Sequence, residues 1–150
     1  MVCMGNICRS PTAHAVLRHK LREAGLEELV VVDSAGTHAY HVGEPPDQRS
    51  MKHAKRRGYD LSDLRARRVA DTDFEHFDLV LAMDWDNCKA LEEQCPPAHR
   101  AKLRRLTEFA RRHASPVVPD PYYSGADGFE HVLDLVEDAC EGLVAHLKTG

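Results

Sequence analysis

The residues best suited to chemistry sit at the start of the chain. Cys3-Met4-Gly5-Asn6-Ile7-Cys8-Arg9-Ser10 is followed at once by Pro11. A cysteine and an arginine separated by five residues can close a loop around one tetrahedral anion. In such a loop the backbone N–H groups point inward, and a helix that begins behind it aims the positive end of its dipole at the same point. Gly5 is expected to permit positive φ and close backbone approach. Arg9 offers a planar fork able to hold two phosphate oxygens. The same positive field is expected to lower the pKa of Cys3 and make its thiolate a nucleophile.

Transfer of a phosphoryl group to a thiolate leaves an alkoxide or phenoxide that needs a proton. Asp120-Pro121-Tyr122 could supply it from Asp120, because Pro121 biases the preceding residue to an extended conformation and stiffens the loop. On its own residues the segment reads more often as a plain Asp-Pro turn. Cys8 lies in the same loop as Cys3. It is open to two readings: a thiol that traps oxidised Cys3 as a disulfide, or a buried packing residue.

Elements must hold these groups in place. The spacing predicts a helix over residues 11–24, with Ser10 as N-cap, Pro11 at the first helical position and Gly25 as the stop. Leu29 to Val32 reads as a strand buried on both faces. A helix follows over 47–57, stopped by Gly58, and a short one over 71–76. Phe77 to Met83 is the next buried strand. Helix 85–93, a weaker strand at 102–106, a Pro/Gly/Asp loop at 116–128 and a strongly amphipathic helix at 129–147 complete the chain. Strands alternating with helices predict an α/β fold, a parallel sheet with helices on both faces. Ligands in such sheets bind at the carboxyl ends of the strands.

The remaining composition is that of a soluble domain. At 150 residues a single domain over 1–150 is expected. Hydrophobic residues make up 43% and charged residues 29%, with a formal net charge of -4, so nothing favours nucleic acid or an anionic membrane. Basic stretches at Arg56-Arg57, Arg65 to Arg68 and Arg100 to Arg112 are interleaved with acidic or polar residues and read as solvated surface. No apolar run is long enough to span a bilayer and no signal peptide opens the chain, so a cytoplasmic location is expected. The odd cysteine count, five, suits free thiols in a reducing compartment. Ten histidines are scattered without metal-ligand spacing, so neither metal nor cofactor is expected.

Val2 to Pro11 resembles the signature of the low-molecular-weight protein tyrosine phosphatases. The likeness continues through Asp33 to Thr37, Val42 to Asp47, Arg65-Ala66-Arg67, Leu79 to Asp84 and Asp120-Pro121-Tyr122-Tyr123. It covers nearly the whole chain. The resemblance implies a four-stranded parallel sheet and hydrolysis of phosphotyrosine through a cysteinyl-phosphate. Cys3 would be the nucleophile, Arg9 the phosphate clamp and Asp120 the general acid. Asp120 would then activate water in the second step. Tyr-phosphorylated proteins would be the substrates, and phosphate or other oxyanions the inhibitors. Ser10 matches the hydroxyl that bonds the nucleophilic sulfur; Asn6 and Ser34 match residues that brace the loop. Tyr40 and Tyr122, with Tyr123 beside it, match aromatic walls of the substrate pocket, the alternative being tyrosines exposed at a rim.

Two departures from the pattern stand out. Only Met1 and Val2 precede Cys3, where the family has an apolar strand of several residues. The first strand is therefore expected to be largely missing, Met1 to be internal to a longer strand, and the sheet to carry a packing gap. Leu64 stands where the family often has a bracing histidine. A thioredoxin-linked arsenate reductase would share the loop but needs relay cysteines, for which Cys88 and Cys95 are the candidates. The position where a relay cysteine is expected holds Met83 or Asp84. An inactive phosphotyrosine-binding module is the other alternative, which retention of Cys3, Arg9 and Asp120 opposes.

Overall fold

The computed structural model describes residues 1–149. Its elements follow the order β1 (Val2–Cys3), α1 (Arg9–Glu23), β2 (Ala35–Gly36), α2 (Gln48–Arg56), α3 (Asp73–His76), β3 (Val80–Ala82), α4 (Trp85–Gln94), β4 (Leu103–Arg105) and α5 (Ala126–Thr149). Short 3-10 turns flank β4. The four strands pair in parallel in the order β2-β1-β3-β4. This is the expected α/β architecture, and β1 is central to it.

Side chains alternate across the sheet as the pleat demands. Cys3, Leu81 and Met83 enter a core with α1 and α5, whereas Val2, Ala35, Val80 and Ala82 enter a second core with Phe74 and Leu91. Helices therefore cover both faces, and both faces of the strands are apolar. Asp47 caps α2 through the N–H groups of Arg49 and Ser50, and Asp84 caps α4 through that of Asn87.

Four elements differ from expectation, the first being β3, which spans only Val80–Ala82 of the expected 77–83. The segment 29–32 is not a strand, and Leu29 closes a turn by donating its N–H to the Leu26 carbonyl at 3.0 Å. Val30 and Val32 pack on the core while Leu29 is 79% and Val31 77% exposed. The reason is the short neighbour: β1 reaches back only to Val2, so ladder pairing begins at Ala35. Helix α1 starts at Arg9 rather than Pro11, with Cys8 at the cap position and no side-chain cap. The loop before it runs straight into the helix, and the Ser10 hydroxyl is used elsewhere. Helix α5 begins one turn early, at Ala126. A cavity of about 520 Å³ lies beside Met1, between the lead-in to β2 and β3.

Candidate active site

The loop between β1 and α1 is held by its carbonyls. Thr37 N–H donates to the Cys3 carbonyl, His38 N–H to Met4 and Asp47 N–H to Ile7, at 2.9, 3.0 and 2.8 Å. With the carbonyls turned outward, the amide N–H groups from Gly5 to Ser10 donate to nothing among the described residues. They collect at the N-terminus of α1, where an anion would satisfy them. Asn6 takes the left-handed conformation, φ 58°. Positive φ was expected at Gly5, which does not adopt it. Asparagine tolerates that region better than other side chains, and Gly5 is needed for space instead. A Cβ there would come within 2.9 Å of the His41 ring. Gly36 in β2 supports the loop from beneath, since a Cβ on it would lie 2.7 Å from the Met4 carbonyl.

A hydrogen-bond chain ends on Cys3. The Arg67 N–H donates to Asn6 Oδ1 at 3.0 Å, which turns Asn6 Nδ2 toward Ser10 Oγ at 2.7 Å. Ser10 Oγ accepts from Asn6 and stands 3.0 Å from Cys3 Sγ and 3.4 Å from the Ala35 carbonyl, so its one proton is within reach of either.

Arg9 is 2% exposed. Its Nη1 donates to Asp84 Oδ2 at 2.5 Å and to the Val118 carbonyl at 3.0 Å. One nitrogen thus fixes the guanidinium plane, and the Nε–Nη2 edge makes no hydrogen bond within the described residues. Asp120 Oδ2 stands 3.8 Å from Nη2, and Asp120 Oδ1 accepts the Tyr122 N–H at 3.1 Å. The Asp120 side chain is 44% exposed. Arg49 anchors this loop: it donates to the Tyr122 carbonyl at 2.9 Å and lies over the Tyr122 ring. Cys3, Asn6, Arg9, Ser10 and Asp120 thus come together. Met4, Ile7 and Cys8 complete the loop.

The outer residues are placed less uniformly. Tyr40 is exposed on the loop after β2 and stacks on His38 at 5.2 Å. Tyr122 is half-exposed, and Tyr123 is 97% exposed. Ser34 does not hydrogen-bond the phosphate loop. Its hydroxyl meets His14 Nδ1 at 3.0 Å, beneath α1. Burial, with Arg18 adding to it, holds the His14 pKa down to about 4. Leu64 packs into the core with α1 and α5, so the position of the expected histidine is apolar and an imidazole approaches Ser34 from α1 instead. His14, Gly36, Arg67 and the Asp84 partnership were missed from sequence. Gly36 and Arg67 lie in blocks already singled out, which was the available signal.

The cysteines divide by environment. All five are free thiols. Burial pushes Cys8 and Cys140 each up to about 12. Cys95 is buried in the core opposite Cys3, with Cys88 packed against it, and burial raises both their pKa values. Neither lies in the core that holds Cys3. No group of three or more His, Cys, Asp or Glu side chains placed to hold a metal occurs among the described residues, and no described helix is long and apolar enough to cross a membrane.

The family model for low molecular weight phosphotyrosine protein phosphatases matches residues 1–150. A relative named low molecular weight phosphotyrosine protein phosphatase in Schizosaccharomyces pombe is 44% identical, over 85% of this chain and 82% of its own. A low molecular weight protein-tyrosine-phosphatase of Streptomyces coelicolor is 43% identical over 98% of this chain and 91% of its own. Among solved structures, a protein tyrosine phosphatase from Entamoeba histolytica with Hepes in the active site superposes with a TM-score of 0.97. It is 44% identical, and the match covers 99% of this chain and 95% of that one. The chain belongs to the low molecular weight phosphotyrosine protein phosphatase family.

Proposed function

We propose that the chain hydrolyses phosphotyrosine in proteins through a phosphoryl group carried on Cys3. The observation that carries this reading is the run of amides from Gly5 to Ser10 that donate to nothing among the described residues, in the loop that leads from Cys3 into α1. These donors match three phosphoryl oxygens, and the Nε–Nη2 edge of Arg9 adds a charged fork. The sulfonate buffer in the active site of the Entamoeba neighbour supports an oxyanion there, as it supports inhibition by phosphate and other oxyanions.

In the first step Cys3 Sγ attacks phosphorus and the bond to the tyrosine oxygen breaks. The electron pair goes to that oxygen, which takes the proton of Asp120. In the second step Asp120, now a carboxylate, removes a proton from water. The water oxygen attacks phosphorus, the P–S bond breaks, and inorganic phosphate leaves. Every step uses a side chain of this chain or water. As aromatic walls of the pocket, Tyr40 and Tyr122 would favour an aryl phosphate over an alkyl one. The thiol nucleophile suits a reducing compartment, which we take to be the cytoplasm.

Turnover of p-nitrophenyl phosphate and of a phosphotyrosine peptide tests the reading. Wild type is expected to hydrolyse both. Cys3→Ser is expected to abolish turnover while retaining phosphopeptide binding, because the oxyanion donors remain. Binding without turnover by wild type would identify an inactive phosphotyrosine-binding module instead.

A further inference from the structure

The loop that carries Asp120 has few ties to the rest of the molecule. Among the described residues, one hydrogen bond enters residues 119–124 from outside that segment: Arg49 Nη1 donates to the Tyr122 carbonyl at 2.9 Å. The other bonds there are local, from Tyr122 N–H to Asp120 Oδ1 at 3.1 Å and from Ser124 N–H to the Pro121 carbonyl at 2.8 Å. Tyr122 therefore joins the two side chains through its own backbone. Its N–H meets the Asp120 carboxylate, and its C=O meets Arg49.

Arg49 is held in turn from the side of the phosphate loop. Its Nε and Nη2 donate to Asp47 Oδ1 and Oδ2 at 3.2 and 2.9 Å. The Asp47 N–H donates to the Ile7 carbonyl at 2.8 Å. Pro45 and Pro46 stiffen the chain that delivers Asp47, whose carboxylate also caps α2. The guanidinium carbon lies 5.3 Å from the centre of the Tyr122 ring and 4.7 Å from that of Phe129, in the first turn of α5. Both edges of the planar group and its aromatic contacts thus fix its orientation. Stability does not account for the arrangement. The Arg49 side chain is 46% exposed, and an ion pair so open to water adds little to the fold. What it fixes is the place of one loop relative to another.

We propose that Arg49 is a positioning residue for the general acid: with Asp47 it straps the loop bearing Asp120 to the phosphate loop, which sets the carboxyl over the leaving oxygen of the substrate. The proposal rests on the reading of Asp120 as the acid. Arg49 makes no hydrogen bond to Cys3, Arg9 or Asp120 among the described residues and acts through Tyr122. Once that bond is lost, the charged contact left to Asp120 is Arg9 Nη2 at 3.8 Å. It would draw the carboxylate toward the group that the phosphate itself needs.

The test compares kcat/KM for phenyl phosphate, whose leaving oxygen is basic, with that for dinitrophenyl phosphate, whose phenol leaves without a proton. Arg49→Met is expected to slow the first by about 10–100-fold, as a misplaced acid would, and the second by less than about 3-fold. In an Asp120→Asn background the same substitution should change the phenyl phosphate value by less than about 3-fold, because no acid remains to be placed. Arg49→Lys keeps the charge but cannot hold Asp47 and the Tyr122 carbonyl together. It should show the same selective loss to a smaller extent, and it carries the test if Arg49→Met does not fold. A purely structural role would slow both substrates alike, with or without Asp120, and that result overturns the proposal. If Asp120→Asn alone is selective for phenyl phosphate while neither Arg49 variant is, the strap fails and the acid stands. If Asp120→Asn slows both substrates equally, the acid assignment fails and the proposal falls with it.

Discussion

Asp84 uses its two carboxylate oxygens for two different partners: Oδ2 holds Arg9 Nη1 at 2.5 Å, and Oδ1 accepts the Asn87 N–H at 2.7 Å. The start of α4 is thereby tied to the guanidinium that faces the phosphate loop. Breaking a buried pair on one side leaves an uncompensated charge, at a cost of about 3–5 kcal/mol. Asp84 is partly exposed, so the lower end of that range applies. Asp84→Ala is expected to destabilise the protein by about 3 kcal/mol and to raise KM for aryl phosphates, because the Arg9 plane is no longer fixed. Urea unfolding beside steady-state kinetics reads both effects. Unchanged stability would show that the pair is not energetically coupled to the fold.

Asp120 faces the site across 3.8 Å to Arg9 Nη2 and lies on an exposed loop. If it donates the proton to the leaving oxygen, the need for it grows with the basicity of that oxygen. Asp120→Asn should slow phenyl phosphate by about 10²–10⁴-fold and substrates with acidic phenols far less. A leaving-group series measures this, and equal slowing across it would remove Asp120 from the chemistry.

His14 gives stability a pH dependence whose sign can be worked out. Its folded pKa, about 4, lies below the ordinary 6.5. The unfolded chain binds a proton that the folded chain refuses, so stability is full above pH 6.5 and falls as the pH drops toward 4. Between pH 7.5 and pH 5 this group removes about 2 kcal/mol. His14→Gln keeps a polar partner for Ser34 but cannot take up the proton, and should flatten that slope. Urea midpoints at the two pH values decide it; an equally steep slope in the variant would place the titrating group elsewhere.

The thiols should differ sharply in reactivity. Cys8 and Cys140, each pushed up to about 12, are almost wholly protonated at pH 7. Iodoacetamide is expected to label Cys3 in the native protein, with phosphate protecting it, and to reach Cys8 and Cys140 only after unfolding. Peroxide should then begin at Cys3, and Cys8 in the same loop should trap the sulfenic acid as a disulfide. Peptide mapping checks both steps. Native labelling at Cys8 in preference to Cys3 would contradict the assignment.

The phosphate loop was legible because its parts act locally. Cys3, Arg9 and the helix behind them are fixed by spacing, and glycine, asparagine and serine each have a use within that short span. Helix α5 was legible from its apolar stripe. What sequence reading missed depends on residues far apart in the chain. The Asp84 partnership spans 75 positions, and the Asn6 carbonyl finds its donor 61 positions away in Arg67. Gly36 had no role of its own in the sequence, and only the packed sheet reveals the Met4 carbonyl above it. The strand expected over residues 29–32 has the right pattern, but a strand also needs a neighbour, which no local signal reports.

The central claim is that phosphate passes through a covalent bond to Cys3. Rapid quenching during turnover of p-nitrophenyl phosphate, followed by peptide mass spectrometry, tests it most directly. Asp120→Asn should also slow the second step, in which that carboxylate activates water, so the adduct should accumulate further in this variant. The account predicts a phosphoryl group on Cys3, absent in Cys3→Ser. Turnover with no adduct on Cys3, or an adduct on another residue, would contradict it.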